Sequence, residues 1–357
     1  GSEMCIRDRY MRIEDDIKLT FDDVLIRPKR STLVSRAEVD LTRKFRFKYT
    51  DQEWSGVPII SANMDTTGTF ETAKVLGQMQ VLTALHKFYS IDDWKEKVQD
   101  VDLDYVILTI GSSEDEMDKA QQLIQLYPQI KFVSLDVANG YREDFIHSIT
   151  TARKIFDDKV IIAGNVATRE MTEALLLAGA DIIKVGIGPG SVCTTRSVAG
   201  VGYPQLSAIA ECADAAHGLG GHVIADGGCK YIGDVSKAFG AGADFVMLGG
   251  MLAGHDESGG ELITGDDGEM YKEFYGMSSK DAQLIHYGDY QSYRAPEGKK
   301  VKLEYKGPIK ITIKDILGGI RSACSYVGAK NIKALPKCTT FIRVTQTTNE
   351  IFSNPKL

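Results

Sequence analysis

A cysteine framed by small, flexible residues is the first feature of this chain that could do chemistry: Gly188-Pro-Gly-Ser-Val-Cys193-Thr-Thr-Arg-Ser197. Glycine and proline allow backbone conformations that residues with a Cβ resist, so such a loop can aim amides or carbonyls at a ligand with the thiol among them. A nucleophilic cysteine works as thiolate, and nearby positive charge or oriented amides lower its pKa; Arg196 and the loop amides can supply both. Free cysteine is equally at home as a small buried hydrophobe. The loop's place directly after a strand favours the nucleophile.

Two glycine pairs also stand directly after strand-like runs, Asp226-Gly227-Gly228 and Leu248-Gly249-Gly250. Backbone amides in such turns can build a phosphate site, and a flavin or sugar phosphate would fit as well as a nucleotide. Asp226 can accept from ribose hydroxyls or cap the following helix. The polar ends Ser134-Leu-Asp136-Val137-Ala138-Asn139-Gly140 and Gly164-Asn165 can hold an amide such as nicotinamide, although turn chemistry explains Asn139-Gly140 too. Lys184 lies mid-strand, where aldolases place a Schiff-base lysine; no partner base is identifiable, which favours a structural role. The six histidines are scattered, and nothing has the ligand spacing of a catalytic transition metal.

The elements that position these groups are legible as alternation. From residue 57 onward, eight β-branched runs begin at Val57, Val81, Tyr105, Lys131, Val160, Asp181, His222 and Asp244, separated by amphipathic stretches such as 114–126 and 169–178. This pattern predicts an α/β fold, a (β/α)8 TIM barrel, with reactive groups at the C-terminal strand ends. A last helix is expected over 316–327. The alternation breaks over 251–314, about 60 residues with a Gly-rich charged part (254–276) and two strand-like runs, 301–305 and 309–313, read as a flap over the barrel mouth. Residues 11–56 form an N-terminal arm that caps the barrel bottom or reaches a neighbouring subunit. Residues 1–10 share no periodicity with the rest and read as an expression remnant, leaving 11–357 as one catalytic domain.

Composition narrows the class further. The chain has 357 residues, 43% hydrophobic and 25% charged, with net charge -7 from 42 basic and 49 acidic side chains well mixed along it. No basic stripe for nucleic acid and no membrane-length apolar run is present. Six widely spaced cysteines without Cys-x-x-Cys suit a reducing, cytoplasmic setting better than a disulfide framework.

Residues 188–196, followed by Ala199-Gly-Val-Gly-Tyr-Pro-Gln205 and Ile224-Ala-Asp-Gly-Gly228, resemble the IMP dehydrogenase and GMP reductase family. The opening Lys18-Leu-Thr-Phe-Asp-Asp-Val-Leu25 and Ser61-Ala-Asn-Met-Asp65 extend the likeness from about residue 12 to the C-terminus. Within the family three features side with the reductase. Leu85-His-Lys-Phe-Tyr-Ser90 passes directly into a helix where the dehydrogenase commonly carries a regulatory insert, the flap reads Phe274-Tyr-Gly-Met-Ser-Ser-Lys280 and Tyr293-Arg-Ala-Pro-Glu-Gly-Lys299, and the dehydrogenase's water-activating Arg-Tyr pair is absent. A dehydrogenase without the insert and a catalytically silent purine-nucleotide-binding barrel are the competing readings.

The resemblance implies reductive deamination of GMP to IMP and ammonia, with Cys193 attacking purine C2 and Thr195 and Glu297 relaying a proton. It implies GMP contacts at Asp226, Gly227, Gly228, Gly249, Gly250, Met277, Ser278, Arg294 and Gly298. NADPH would meet Ser35, Arg36, Lys87, Asp136, Val137, Ala138, Ile187 and Gly188, with Ser322, Ala323, Cys324 and Ser325 coming from a neighbouring subunit of a homo-oligomer, a tetramer. A monovalent cation, K+, would bind at Gly188, Gly190, Cys193 and Arg196. Pro296 stands where a serine is frequent in the family, fixing φ and removing a donor beside Glu297.

Overall fold

Eight β-branched runs become the staves of one barrel in the computed structural model, which describes residues 13–287 and 296–345. Two short strands precede the barrel, β1 (Val24–Ile26) and β2 (Arg43–Arg46). The staves are β3 (Glu53–Ser61), β4 (Val81–Leu85), β5 (Val106–Ile110), β6 (Phe132–Asp136), β7 (Val160–Val166), β8 (Ile182–Val185), β9 (His222–Asp226) and β10 (Phe245–Leu248). Neighbours pair in parallel, and β10 returns to β3 with Val246 opposite Ile59, so the ring closes and keeps no free edge.

Helices α1 (Phe70–Gly77), α2 (Ile91–Lys97), α3 (Glu114–Leu126), α4 (Glu143–Ile155) and α5 (Arg169–Leu177) follow the first five staves. After β8 a single turn, α6 (Thr195–Val198), precedes α7 (Gln205–Gly218), and α8 (Ile232–Gly240) follows β9. Local chemistry starts several of them. Ser90 and Ser113 accept from the amides of Asp93 and Glu116, satisfying donors that a helix start leaves open.

Period-two alternation along the staves fills the barrel. Ile60, Leu82, Ile107, Phe132, Ile162, Ile182, Ile224, Phe245 and Met247 form one apolar cluster with Phe45, Phe47 and Trp54 of the arm. Each fully buried large side chain contributes roughly 1.5–3 kcal/mol. The same alternation carried upward turns Lys184 inward two residues after Ile182. The expected bottom cap is present: β2 pairs antiparallel with the start of β3, and Phe45 stacks on Phe245 at 4.3 Å. The rest of the arm runs up the flank, where β1 pairs with β14 (Phe341–Arg343).

Two copies of Ala-Gly-Ala-Asp, 178–181 and 241–244, enter β8 and β10 and fasten this cap. Asp181 accepts from the Ile161 amide of the adjacent stave at 2.9 Å, from the Tyr49 amide of the arm at 2.9 Å and from Arg153. Asp244 does the equivalent with the Val223 amide at 3.0 Å and Arg43 at 2.6 Å, and binds His217 at 2.7 Å. Burial pushes the Asp244 carboxyl up, but hydrogen bonds from His217 and His222 and the Arg43 charge outweigh it and hold it well below the usual carboxylate range.

The insertion after β10 differs from the sequence expectation. Its Gly-rich part contains β11 (Leu262–Thr264) and β12 (Met270–Tyr275), followed by α9 (Lys280–Tyr287) and β13 (Lys300–Glu304), with strand order β11-β12-β13. Residues 309–313 are not a strand but the opening turns of α10 (Ile309–Val327), so the flap ends earlier and the last helix starts earlier than predicted. Pro308 is the N-cap, and Ile309, Ile313, Ile316, Ile320, Cys324 and Val327 are the buried positions, a three-and-four spacing that overrides β-branched preference. A last turn, α11 (Leu335–Cys338), precedes β14. No helix among the described residues is long and apolar enough to cross a membrane.

Asp244→Asn should lower unfolding stability by about 3–5 kcal/mol, read as the denaturation midpoint, because it strands Arg43 beneath the barrel. The hydrogen bond to Asp244 raises the His217 pKa, so its contribution is complete below the unfolded imidazole value and fades as pH rises through the folded one. The melting deficit of His217→Gln should therefore be larger at about pH 5.5 than at about pH 9; a deficit that does not change with pH would contradict this.

Candidate active site

Strand β8 ends at Val185, and the cysteine loop begins at the mouth, the end where barrels place their chemistry. Gly188 adopts φ +76°, a conformation that favours glycine. The Cys193 amide donates to the Gly190 carbonyl at 3.1 Å, closing a turn that leaves the thiol half-buried. Cys193 Sγ lies 3.2 Å from Thr195 Oγ1, and Thr195 Oγ1 donates to Glu297 Oε2 at 2.6 Å, a distance typical of a hydroxyl bonded to a carboxylate. A hydroxyl has one proton. Spent on Glu297, it leaves the oxygen lone pairs for the thiol proton, so the three side chains form a proton path from sulfur to carboxylate. Arg196, expected beside the thiol, donates instead to the Tyr203 carbonyl at 2.6 Å.

Glu297 arrives from the far side of the flap, 102 residues from Thr195. Backbone bonds place it: Thr194 N–H donates to the Glu297 carbonyl at 3.1 Å, Lys299 N–H to the Val192 carbonyl at 2.9 Å, and Glu297 N–H to the Ser278 carbonyl at 3.1 Å. Pro296 costs nothing in this arrangement, because the donors used are those of Glu297 and Lys299. Gly298 must be glycine: a Cβ there would lie 2.9 Å from Ser279 N and 3.2 Å from Gly276 Cα. The flap is also tied laterally. Tyr275 and His286 both reach Asp65 Oδ2, at 2.8 and 2.7 Å, and the His286 ring stacks on Phe88 at 3.5 Å. Asp65 and Tyr275 lie in stretches that carried the family resemblance, but nothing in the sequence marked their contact, and His286 stood in no motif.

The glycine pairs converge on the same loop. Gly227 and Gly228 have φ of +86° and +88° and lie against Pro189 and Gly190, and Gly250 lies beside the Ser191 hydroxyl. Among the described residues, the amides of Gly190, Ser191, Gly227, Gly228, Gly249 and Gly250 donate to no protein acceptor. Such a concentration of free N–H groups is a ready anion site. Met277 and Ser278 lie in the flap beside Glu297, while Arg294 falls outside the described residues.

Next to this anion site lies a charged network. Lys184, 4% exposed, bridges Asp226 Oδ2 at 2.8 Å and Asp136 Oδ1 at 3.1 Å. Asn165 Nδ2 donates to Asp226 Oδ2 at 2.8 Å, and Asn63 Nδ2 donates to Asp136. Burial alone would push Lys184 down, but the two carboxylates outweigh it and hold the ammonium above its usual pKa. The neutral amine that a Schiff base requires is thereby suppressed. Asp226 does not cap the next helix, which uses Asp234 to accept the Lys230 and Tyr231 amides. Asn139 is spent on its turn, accepting from the Tyr141 amide at 3.0 Å, whereas Asn165 Oδ1 is buried without a partner among the described residues.

The residues expected to hold the cofactor fall into two groups. Lys87, Asp136, Val137, Ala138, Ile187 and Gly188 follow or end staves at the mouth, with Lys87 paired to Glu116 at 3.1 Å. Ser322, Ala323, Cys324 and Ser325 lie on α10, and Ser35 and Arg36 sit in a short turn packed on that helix. This second group is on the barrel flank. Ser322 and Ala323 line a cavity there of about 410 Å³, together with Ile26, Ser236 and Tyr326.

A family profile described as "IMP dehydrogenase / GMP reductase domain" matches residues 18–351. Proteins named GMP reductase from Shigella boydii serotype 4 (strain Sb227), Escherichia coli O157:H7 and Escherichia coli (strain K12 / DH10B) are each 58% identical over 347 residues. The match covers 96% of this chain and 100% of each relative.

Burial pushes the thiols of Cys212 and Cys324 up to about 12 and about 11, whereas Cys193 is partly open at the mouth. Of these three, iodoacetamide should label Cys193 first at about pH 8, as read by peptide mass spectrometry. Earlier labelling of Cys212 or Cys324 would contradict the placement of Cys193 as the more accessible thiol.

Proposed function

Because the chain belongs to the IMP dehydrogenase / GMP reductase family, we propose that it works as the family's reductase, converting GMP to IMP and ammonia. The observation that carries this reading is the continuous bonding of Cys193, Thr195 and Glu297, with the flap carboxylate delivered to the thiol. Cys193 loses its proton along this path and adds through sulfur to C2 of the guanine ring. The exocyclic amine leaves as ammonia once it is protonated, and Thr195 passes that proton from Glu297. A covalent thioimidate at C2 remains on Cys193. NADPH, when bound, supplies hydride to C2. The sulfur then leaves as thiolate, releasing IMP, and Glu297 and Thr195 reset its protonation.

The GMP phosphate fits the free amides around Gly190, Ser191, Gly227, Gly228, Gly249 and Gly250. Asp226 accepts from the ribose hydroxyls, while Met277, Ser278 and Gly298 of the flap cover the base. The unpartnered Asn165 Oδ1 offers an acceptor for an amide N–H. Asp136, Val137, Ala138 and Lys87 line the cofactor side. Ser35, Arg36 and Ser322–Ser325 lie on the flank, and this placement supports a homotetramer in which they serve a neighbouring copy's NADPH. K+ fits the cysteine loop, since the carbonyls of Gly188 and Cys193 accept no hydrogen bond among the described residues. Free thiols at all the described cysteines support a reducing cytoplasmic setting.

Purified protein given GMP and NADPH should lose nicotinamide absorbance and release ammonia in equal amounts. Cys193→Ala should abolish turnover, and Thr195→Val or Glu297→Gln should lower kcat by about 10²–10⁴-fold with little change in KM for GMP. NADH formation from IMP and NAD, with no reduction of GMP, would overturn the assignment in favour of the dehydrogenase reaction.

A further inference from the structure

We propose that Lys184 is a positioning residue that couples the two ligand sides of the mouth, holding Asp226 for the nucleotide and Asp136 for the cofactor with one shared ammonium. The coupling role rests on the function proposed above; the charge arrangement itself does not. Lys184 projects into the barrel from β8, one layer above Ile182, and is nearly inaccessible to solvent. Its nitrogen reaches Asp226 at 2.8 Å on one side and Asp136 at 3.1 Å on the other, with Asn63 Oδ1 at 3.3 Å and Met247 Sδ at 3.7 Å completing its surroundings. Among the described residues, the titratable groups facing it are these two carboxylates, on β9 and β6; the segment after β3 contributes Asn63, and β7 and β10 contribute Asn165 and Met247.

Two acids share one base, and among the described residues neither carboxylate has a cation of its own. Asp226 uses Oδ2 for both Lys184 and Asn165, which leaves Oδ1 without a protein partner among the described residues and able to accept from a ligand. A ligand that draws on Asp226 weakens its hold on Lys184, and the freed attraction falls on Asp136. The two sites therefore share a coupling free energy, and occupation of one alters affinity at the other. Removing the ammonium exposes two partly buried carboxylates to mutual repulsion, so one of them takes up a proton as pH falls, and the protonated form is a poorer ribose acceptor.

The test compares Lys184→Met, Lys184→Gln and Lys184→Arg with wild type. Met and Gln should raise KM for both GMP and NADPH by at least about tenfold. They should also move the acid limb of kcat/KM, where activity rises with pH, to higher pH than in wild type. Arg restores a cation and should recover most of the affinity and return that limb to its wild-type position. Difference infrared spectra of ligand-free Lys184→Met should show a protonated-carboxyl band that strengthens as pH falls. Folded Met or Gln variants with wild-type KM values and pH profile would overturn the proposal. So would failure of all three to fold, which would assign Lys184 to barrel stability alone. If wild type failed to reduce GMP, the proposed function would fall, while the infrared band would still decide whether Lys184 sets the charge of the two carboxylates.

Discussion

The hydrogen bonds between Thr194 N–H and the Glu297 carbonyl, and between Lys299 N–H and the Val192 carbonyl, join the flap to the cysteine loop as one short antiparallel bridge. A barrel alone brings Cys193 to its mouth with no acid or base beside it. The bridge adds Glu297 in a fixed register, and a one-residue slip would turn that side chain to the opposite face. This explains why Gly298 tolerates no side chain at the crossing while Gly276 leaves little room for one, and why the lateral ties from Tyr275 and His286 to Asp65 matter. They hold the flap's other edge, so that the bridge need not resist its swing unaided.

The barrel uses buried carboxylates at both ends for opposite purposes. At the bottom, Asp181 and Asp244 are saturated by backbone amides and arginines, and fasten the arm to the staves. At the mouth, Asp136 and Asp226 share a single lysine and two amides, an under-compensated arrangement that leaves acceptor capacity for a ligand. Saturation stabilises a fold, whereas incomplete pairing prepares a site.

Much of this was legible because barrels write themselves into sequence as strand count and strand-end chemistry. The eight β-branched runs and the glycine turns after β9 and β10 are local signals, and the structure keeps them within a residue or two apart from β3, which extends earlier into the arm hairpin. The flap strands were harder to see. The strand β11 has no buried residue and β12 buries only Lys272 and Phe274, so neither carries a strong alternation. Ile309-Lys-Ile-Thr-Ile313 reads as a strand until the buried positions further along impose helical spacing. The link between Thr195 and Glu297, and that from Lys184 to Asp136 and Asp226, are long-range facts set by closure and docking, and no periodicity carries them. Arg196 shows the converse, a charge near the thiol in sequence whose guanidinium is engaged elsewhere.

The aromatic cap at the base decides from which side the thiol can be approached. With Phe45, Phe47 and Trp54 packed beneath an interior already filled by side chains, the barrel has no rear entrance. Among the described residues, the approach to Cys193 is therefore the mouth that the flap overhangs. The stacked rings that hold the floor shut thus leave the approach to the thiol to the opposite end of the barrel.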